Sequence, residues 1–174
     1  RIECLKKIDS ASGYLLGILN DVLDMSKIES GKMKLVIDKC SIPDMMKNID
    51  SIMDAKMNEK DITFGQNITL LHDWFYGDEL RLNQILVNLL SNAVKYSNLG
   101  GRVDLTVKEL PVDDKYSDIY FAVSDNGIGI PESKQQLIFQ RFEQADDSAN
   151  ARKQGTGLGL AISSRLVHLS LIHI

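Results

Sequence analysis

Residues 80–97 read LRLNQILVNLLSNAVKYS, and at 100° per residue Arg81, Gln84, Asn88, Ser91, Asn92 and Lys95 fall on one helical stripe. Leu82, Ile85, Leu86, Leu89, Leu90, Ala93 and Val94 cover the rest. Asn costs up to ~0.7 kcal/mol relative to Ala inside a helix. Two asparagines one turn apart, on a stripe without a carboxylate, therefore need a use, and amide oxygens are ligands for a hard cation. Two glycine segments offer complementary chemistry. In DNGIGIP, Asp125 ends a strand with a carboxylate that can accept from the amino group of a base, and Gly127 and Gly129 permit positive φ and close approach of a ligand to the backbone. An Asn-Gly pair after a strand also makes an ordinary turn. GTGLGL, from residue 155, runs straight into a helix and presents unpaired amides and the positive end of the helix dipole, an anion site, although glycine there can be merely a cap.

Neither segment fits a better-known phosphate loop. There is no GxxxxGK[ST], and neither glycine cluster lies in a βαβ unit with an acidic residue ~20 positions on. The set carries the argument: an oxygen ligand for a cation, a carboxylate for a base and amides for phosphates, in that order along the chain.

The elements that must position these groups are legible from periodicity. Leu5, Ile8, Ser12, Leu15, Leu19, Val22 and Ser26 alternate spacings of three and four, a heptad seam ended by Gly31. So apolar a helix must bury its face against other helices. KMKLVIDKC reads as a strand, and the next segment as a helix with Ser41 as N-cap and Pro43 in its first turn. DITFGQNI reads as a strand, LHDWFYGD as a short extended piece, and Asp78 to Tyr96 as the asparagine helix. GRVDLTVKEL and DIYFAVSD alternate as neighbouring antiparallel strands. A short helix over SKQQLIFQRF, a polar stretch from Glu143 to Gln154 and a last helix complete the chain. This is an α+β arrangement, one mixed sheet with helices on one face and a helical appendage before it.

Bulk properties narrow the function. With 174 residues, of which 44% are hydrophobic, the chain suffices for one domain with an appendage. A net charge of −4 lacks the basic field that dominates nucleic-acid affinity. Cys4 and Cys40 form no CxxC pair, which fits a reduced cytosolic setting and small apolar roles. No run approaches the ~18 apolar residues needed to span a bilayer, so no membrane contact is expected of this segment.

NQILVNLLSNAVKYS, DNGIGI, FQRF and GTGLGLAIS, in that order, resemble the N, G1, F and G2 boxes of the sensor histidine kinase catalytic domain, of the GHKL ATP-binding superfamily. The opening LKKIDSASGYLLGILNDVLDMSKIESGKMKL resembles the second helix of the dimerisation and phosphoacceptor hairpin of two-component kinases. The resemblance implies a two-layer α/β sandwich, a mixed sheet under three helices. Its parts are a partial hairpin helix at 1–31, an ATP-binding domain at 32–168 and an atypical tail at 169–174. It assigns Asn92 to Mg²⁺, with Asn88 its partner one turn earlier near phosphates and metal, Lys95 to phosphate and Tyr96 to the nucleotide. Asp125 takes the adenine amino group, with Gly127 and Gly129 letting the base approach. Phe139 and Phe142 match the F box, and Gly155, Thr156, Gly157, Leu158 and Gly159 the triphosphate-facing loop. The stretch after Phe142 becomes the ATP lid, in which, as at Arg141, the cations Arg152 and Lys153 could reach phosphates. The implied partners are ATP, a second copy through the hairpin and a response-regulator receiver domain.

Departures from the family pattern qualify this. The phosphoacceptor histidine lies upstream of Arg1, and His72, His168 and His173 read as surface residues, so the chain is not expected to phosphorylate itself. Its start within a helical pattern and its end in HLSLIHI read as an excised and C-terminally truncated piece with a sheet edge left open. Two other readings stand beside the kinase. An ATP hydrolase of the gyrase, mismatch-repair or chaperone kind would carry a Glu where Asn88 stands, to activate water. A degenerate nucleotide-binding or empty domain would act as a signalling scaffold.

Overall fold

A computed structural model of the chain describes residues 2–113, 116–143 and 156–171. Helix α1 spans Ile2–Glu29. Gly31 ends it at φ +63°, while Lys32 N–H reaches the Lys27 carbonyl at 2.9 Å and Gly31 N–H the Ile28 carbonyl at 3.1 Å, a Schellman closure.

The chain divides into two compact units. One comprises residues 1–35 and 131–174, the other Val36–Ile130. In the first unit α1 packs against α4, Gly159–Leu171, and Met25, Leu158, Ala161, Ile162 and Leu166 are buried.

The second unit holds β1 (Asp38–Ser41), α2 (Ile42–Glu59), β2 (Thr63–Thr69), β3 (Trp74–Gly77), α3 (Glu79–Tyr96), β4 (Arg102–Pro111) and β5 (Ser117–Asp125). The Ser41 hydroxyl accepts from Asp44 N–H at 3.3 Å and Pro43 lies in the first turn, so α2 starts where its capping signal stands. Its apolar stripe of Ile42, Met45, Met46, Ile49, Met53 and Met57 meets Leu86, Leu90, Ala93 and Val94 of α3 and Val103, Leu105 and Val107 of β4 in one buried core. Asp78 caps α3: Oδ1 accepts from Arg81 N–H at 3.1 Å, and Oδ2 from Val36 N–H at 2.9 Å.

Strand β4 is central, parallel to β2 and antiparallel to β5. A parallel neighbour demands a crossover, and α3 supplies it. Three expectations need correction. The strands do not form one sheet, because β1 and β3 pair only with each other, antiparallel, with Cys40 opposite Phe75. The strand read over residues 32–40 begins only at Asp38, and Val36 and Ile37, 72% and 52% exposed, flank it without pairing. Its partner β3 is just four residues long and leaves the rest of the stretch unpaired.

The helix expected over residues 133–142 is instead two 3₁₀ turns, Glu132–Lys134 and Leu137–Phe139. Gln140 is extended and Phe142 sits at φ +62°, with its N–H donated to the Gly157 carbonyl at 3.0 Å. A tertiary backbone bond thus takes the donor that a helix would have used at residue 138. Residues 144–155, which hold most of the expected lid with Arg152, Lys153 and Gly155, lie outside the described residues, as do His173 and the end of the tail.

Candidate nucleotide site

Asn88 and Asn92 stand one turn apart on α3, both half-buried. The stripe that they share is not uniform. Ser91 turns towards α2, where Lys56 Nζ donates to its hydroxyl at 3.1 Å and its own O–H faces Met53 Sδ at 3.8 Å. Arg81 donates to Gln84 Oε1 at 2.8 Å. At the C-terminal end Lys95 Nζ donates to the Tyr96 hydroxyl at 2.9 Å and lies 4.6 Å from the centre of that ring, so cation and aromatic form one unit.

The first glycine segment closes on the end of this helix. Asp125 Oδ1 accepts from Gly127 N–H at 2.9 Å, and Ile128 N–H reaches the Tyr96 carbonyl at 3.3 Å. Gly127 has a reason of its own to be glycine: a Cβ there would lie 2.3 Å from the Tyr96 carbonyl oxygen. Gly129 differs, with open space around it and φ +70°, so its backbone angle alone favours glycine. Asn126 was not singled out in the sequence, yet its Oδ1 accepts from Arg102 N–H at 2.8 Å and its N–H donates to the Arg102 carbonyl at 3.2 Å. An Asx residue directly after a strand was the available signal. In this unit the Asp125 segment is therefore tied through backbone to the end of the asparagine helix at Tyr96 and to the start of β4 at Arg102.

The second glycine segment belongs to the other unit. Leu158 N–H donates to the Thr156 hydroxyl at 3.2 Å, and that hydroxyl donates to Asp21 Oδ2 of α1 at 3.3 Å. Burial pushes the Asp21 carboxyl above its ordinary pKa, with the Thr156 hydroxyl pulling the other way. Gly157 has φ +69°, and a Cβ on it would lie 2.8 Å from Phe142 Cα, so the F-box backbone seats directly on the glycine turn. Phe142 and Phe139 expose their rings, at 71% and 51%. Gly159 opens α4, whose first-turn amides have no acceptor within the helix. Arg141 pairs with Glu29. His168 is exposed, and His72 Nδ1 lies 2.8 Å from Glu109 Oε1, at a sheet end rather than beside the asparagines.

The donor set fits Mg²⁺ and a nucleotide. Asn88, Asn92, Lys95 and Asp125 offer amide oxygens, a cation and a carboxylate in one unit, the fittings for a metal carried mainly by phosphates and water. Among the described residues no group of three or more His, Cys, Asp or Glu side chains converges on a common point.

Residues 77–172 match the family described as histidine kinase-, DNA gyrase B-, and HSP90-like ATPase. Over 174 residues, 99% of this chain and 22% of the relative, the chain is 39% identical to the circadian input-output histidine kinase CikA of Synechococcus elongatus. It is 37% identical over 165 residues, 94% of the chain and 18% of the relative, to the signal transduction histidine-protein kinase BarA of Escherichia coli K12. Among solved structures, full-length ShkA in complex with AMPPNP superposes with a TM-score of 0.76 and 29% identity, covering 95% of this chain and 33% of that one. The chain belongs to the histidine kinase-, DNA gyrase B- and HSP90-like ATPase family, and the relatives matching it along its length are sensor histidine kinases. It spans about a fifth of the length of those curated relatives.

Proposed function

We propose that this chain is the ATP-binding kinase core of a two-component sensor histidine kinase. It transfers the γ-phosphoryl group of ATP to a histidine in the hairpin helix that the family places before α1. Residues 32–168 form the nucleotide-binding domain in this reading. The observation that carries it is the backbone junction of Tyr96 with Gly127 and Ile128, which sets the Asn88–Asn92 helix beside the Asp125 carboxylate within one unit. Asp125 accepts from the adenine amino group, Asn92 with Asn88 orients the metal and phosphates, and Lys95 offsets phosphate charge. Thr156, Gly157, Leu158 and Gly159, with Gly155, present amides to the triphosphate. Mg²⁺, when bound, neutralises charge on the phosphate oxygens. In the transfer the bond from the γ-phosphorus to the bridging oxygen breaks as a bond to the imidazole nitrogen forms, and ADP leaves. Such chemistry needs positioning more than a protein base.

Asn88 favours transfer over hydrolysis, since an amide cannot take a proton from water as a Glu would. A second copy through α1 is the proposed partner for the stripe of Ile8, Leu15, Leu19 and Val22, exposed at 62%, 67%, 55% and 49%. A receiver domain is the proposed recipient of the phosphoryl group, and the cytoplasm the proposed location. Among the described residues no helix is long and apolar enough to cross a membrane.

The test is calorimetric titration with AMPPNP and Mg²⁺. The chain binds, and Asn92→Ala weakens Mg²⁺-dependent binding about tenfold, the loss of one charge-assisted contact. No binding by the unmutated chain rejects both the kinase and the hydrolase readings.

A further inference from the structure

Lys60 carries no role in the resemblance, yet it occupies a junction of the second unit. Its ammonium donates to the carbonyls of Val94, Lys95 and Ser97 at 2.9, 2.7 and 3.0 Å. Three donors meet three acceptors at the C-terminal end of α3, where the helix dipole favours a cation. The carbonyl skipped in this series, that of Tyr96, accepts from Ile128 N–H instead. Lys60 thus grips the helix end on either side of the α3 carbonyl that anchors the Asp125 segment.

The backbone of the same residue holds the second anchor. The Lys60 carbonyl accepts from Gly100 N–H at 3.0 Å, and Thr63 N–H donates to the Gly101 carbonyl at 2.9 Å, which ties the turn after α3 to the end of α2 and the start of β2. That turn leads into Arg102, whose N–H and carbonyl pair with Asn126. Beside the β4–β5 ladder, in which Asp125 lies opposite Val103, residues 126–128 are thus attached at Tyr96, inside the segment that Lys60 clamps, and at Arg102, directly after it.

We infer that Lys60 is a positioning residue for the nucleotide site, setting the separation between Asn92, Lys95 and Tyr96 on α3 and the Asp125 carboxylate. It touches no ligand and acts through the end of α3. The inference rests on the nucleotide reading above, because the geometry it controls matters only if both sides grip one molecule. Without the ammonium, three helix-end carbonyls lose their donors, the last turn of α3 loosens, and the Asp125 segment no longer has a fixed partner across the site.

The 174-residue chain is titrated with AMPPNP and Mg²⁺ by calorimetry, at a temperature where circular dichroism shows each variant folded. Lys60→Met raises Kd about tenfold, a coupling carried through the intervening structure. Lys60→Arg, which keeps the charge and the donors, recovers most of that affinity. Ile49→Ala, a cavity in the same core about three turns of α2 before Lys60, lowers the unfolding midpoint and leaves Kd unchanged, a contrast that a merely structural role for Lys60 would not produce. A Lys60→Met chain that binds with the unmutated Kd overturns the inference and leaves the nucleotide reading standing. An unmutated chain that does not bind overturns both. If Lys60→Met does not fold, Lys60→Gln, which retains donors without the charge, replaces it with the same two outcomes.

Discussion

The two glycine segments look alike in sequence and are built differently. DNGIG closes on the end of a buried helix: Gly127 is fenced by the Tyr96 carbonyl and Asn126 is bonded to Arg102, all on a core that includes Leu86, Leu90 and Val103. TGLG, from Thr156, closes on the F-box turn, with Gly157 fenced by the backbone of Phe142, itself at positive φ and with its ring exposed. The first segment is held by the end of α3 and by the sheet, the second by α1, through Thr156 and Asp21, and by the backbone turn at Phe142. In the proposed nucleotide reading, a carboxylate that meets the base has to be held still, while a loop that meets the phosphates can adjust as the nucleotide enters and leaves.

The contrast can be broken most sharply at Gly127. Gly127→Ala should cost about 3 kcal/mol, because the new methyl meets a backbone carbonyl that cannot move without the end of α3. Denaturant unfolding measures the loss, and AMPPNP binding should fall with it. Gly157→Ala combines a positive φ with a contact to Phe142, but a pair of turns can give way, so about 2 kcal/mol is expected. Its effect should appear in nucleotide affinity more than in the melting of the sheet. Gly129→Ala tests φ alone and should cost about 1 kcal/mol. A loss at Gly129 equal to that at Gly127 would show that close approach to Tyr96 is not what demands glycine there.

The remaining prediction concerns the far end of β4. Glu109 accepts from the amides of Leu71 and His72 at 2.8 Å each, and its contact with the His72 ring leads the causes that hold its pKa at about 2, below its ordinary 4.5. A carboxyl lowered on folding adds stability that is full above pH 4.5 and is lost as pH falls towards 2. Glu109→Gln should therefore flatten the stability profile between pH 5 and 2 without altering nucleotide affinity at pH 7, as followed by urea midpoints across that range. A steep acid limb persisting in the variant would assign acid sensitivity to other carboxylates.

Much of this was legible beforehand where signals are local. Ser41 with Pro43, Asp78 before its apolar run, Gly31 after the α1 seam and the alternation of β4 and β5 each specify backbone by their own chemistry, and the structure shows each of them. Residues 133–142 misled because nothing nearby reveals that Phe142 donates its N–H to Gly157, 15 positions on. The strand read over residues 32–40 misled because its own residues do not disclose how short its partner is. Ser91 looked like part of the asparagine stripe until α2 was placed, since Met53 and Lys56 lie far from it in sequence.

By itself the sequence determined the set of groups and their order, Asn88 and Asn92, then Asp125 with its glycines, then the helix-opening glycines, and through them the family. Side-chain chemistry and local caps are properties of neighbouring residues, so no fold is needed to read them. Only the tertiary structure decided why Gly127 must lack a Cβ, why Asn126 matters and why a lysine at the end of α2 governs the end of α3. Each depends on a backbone group brought within hydrogen-bonding distance from dozens of residues away, by the burial of α2 and α3 on β4.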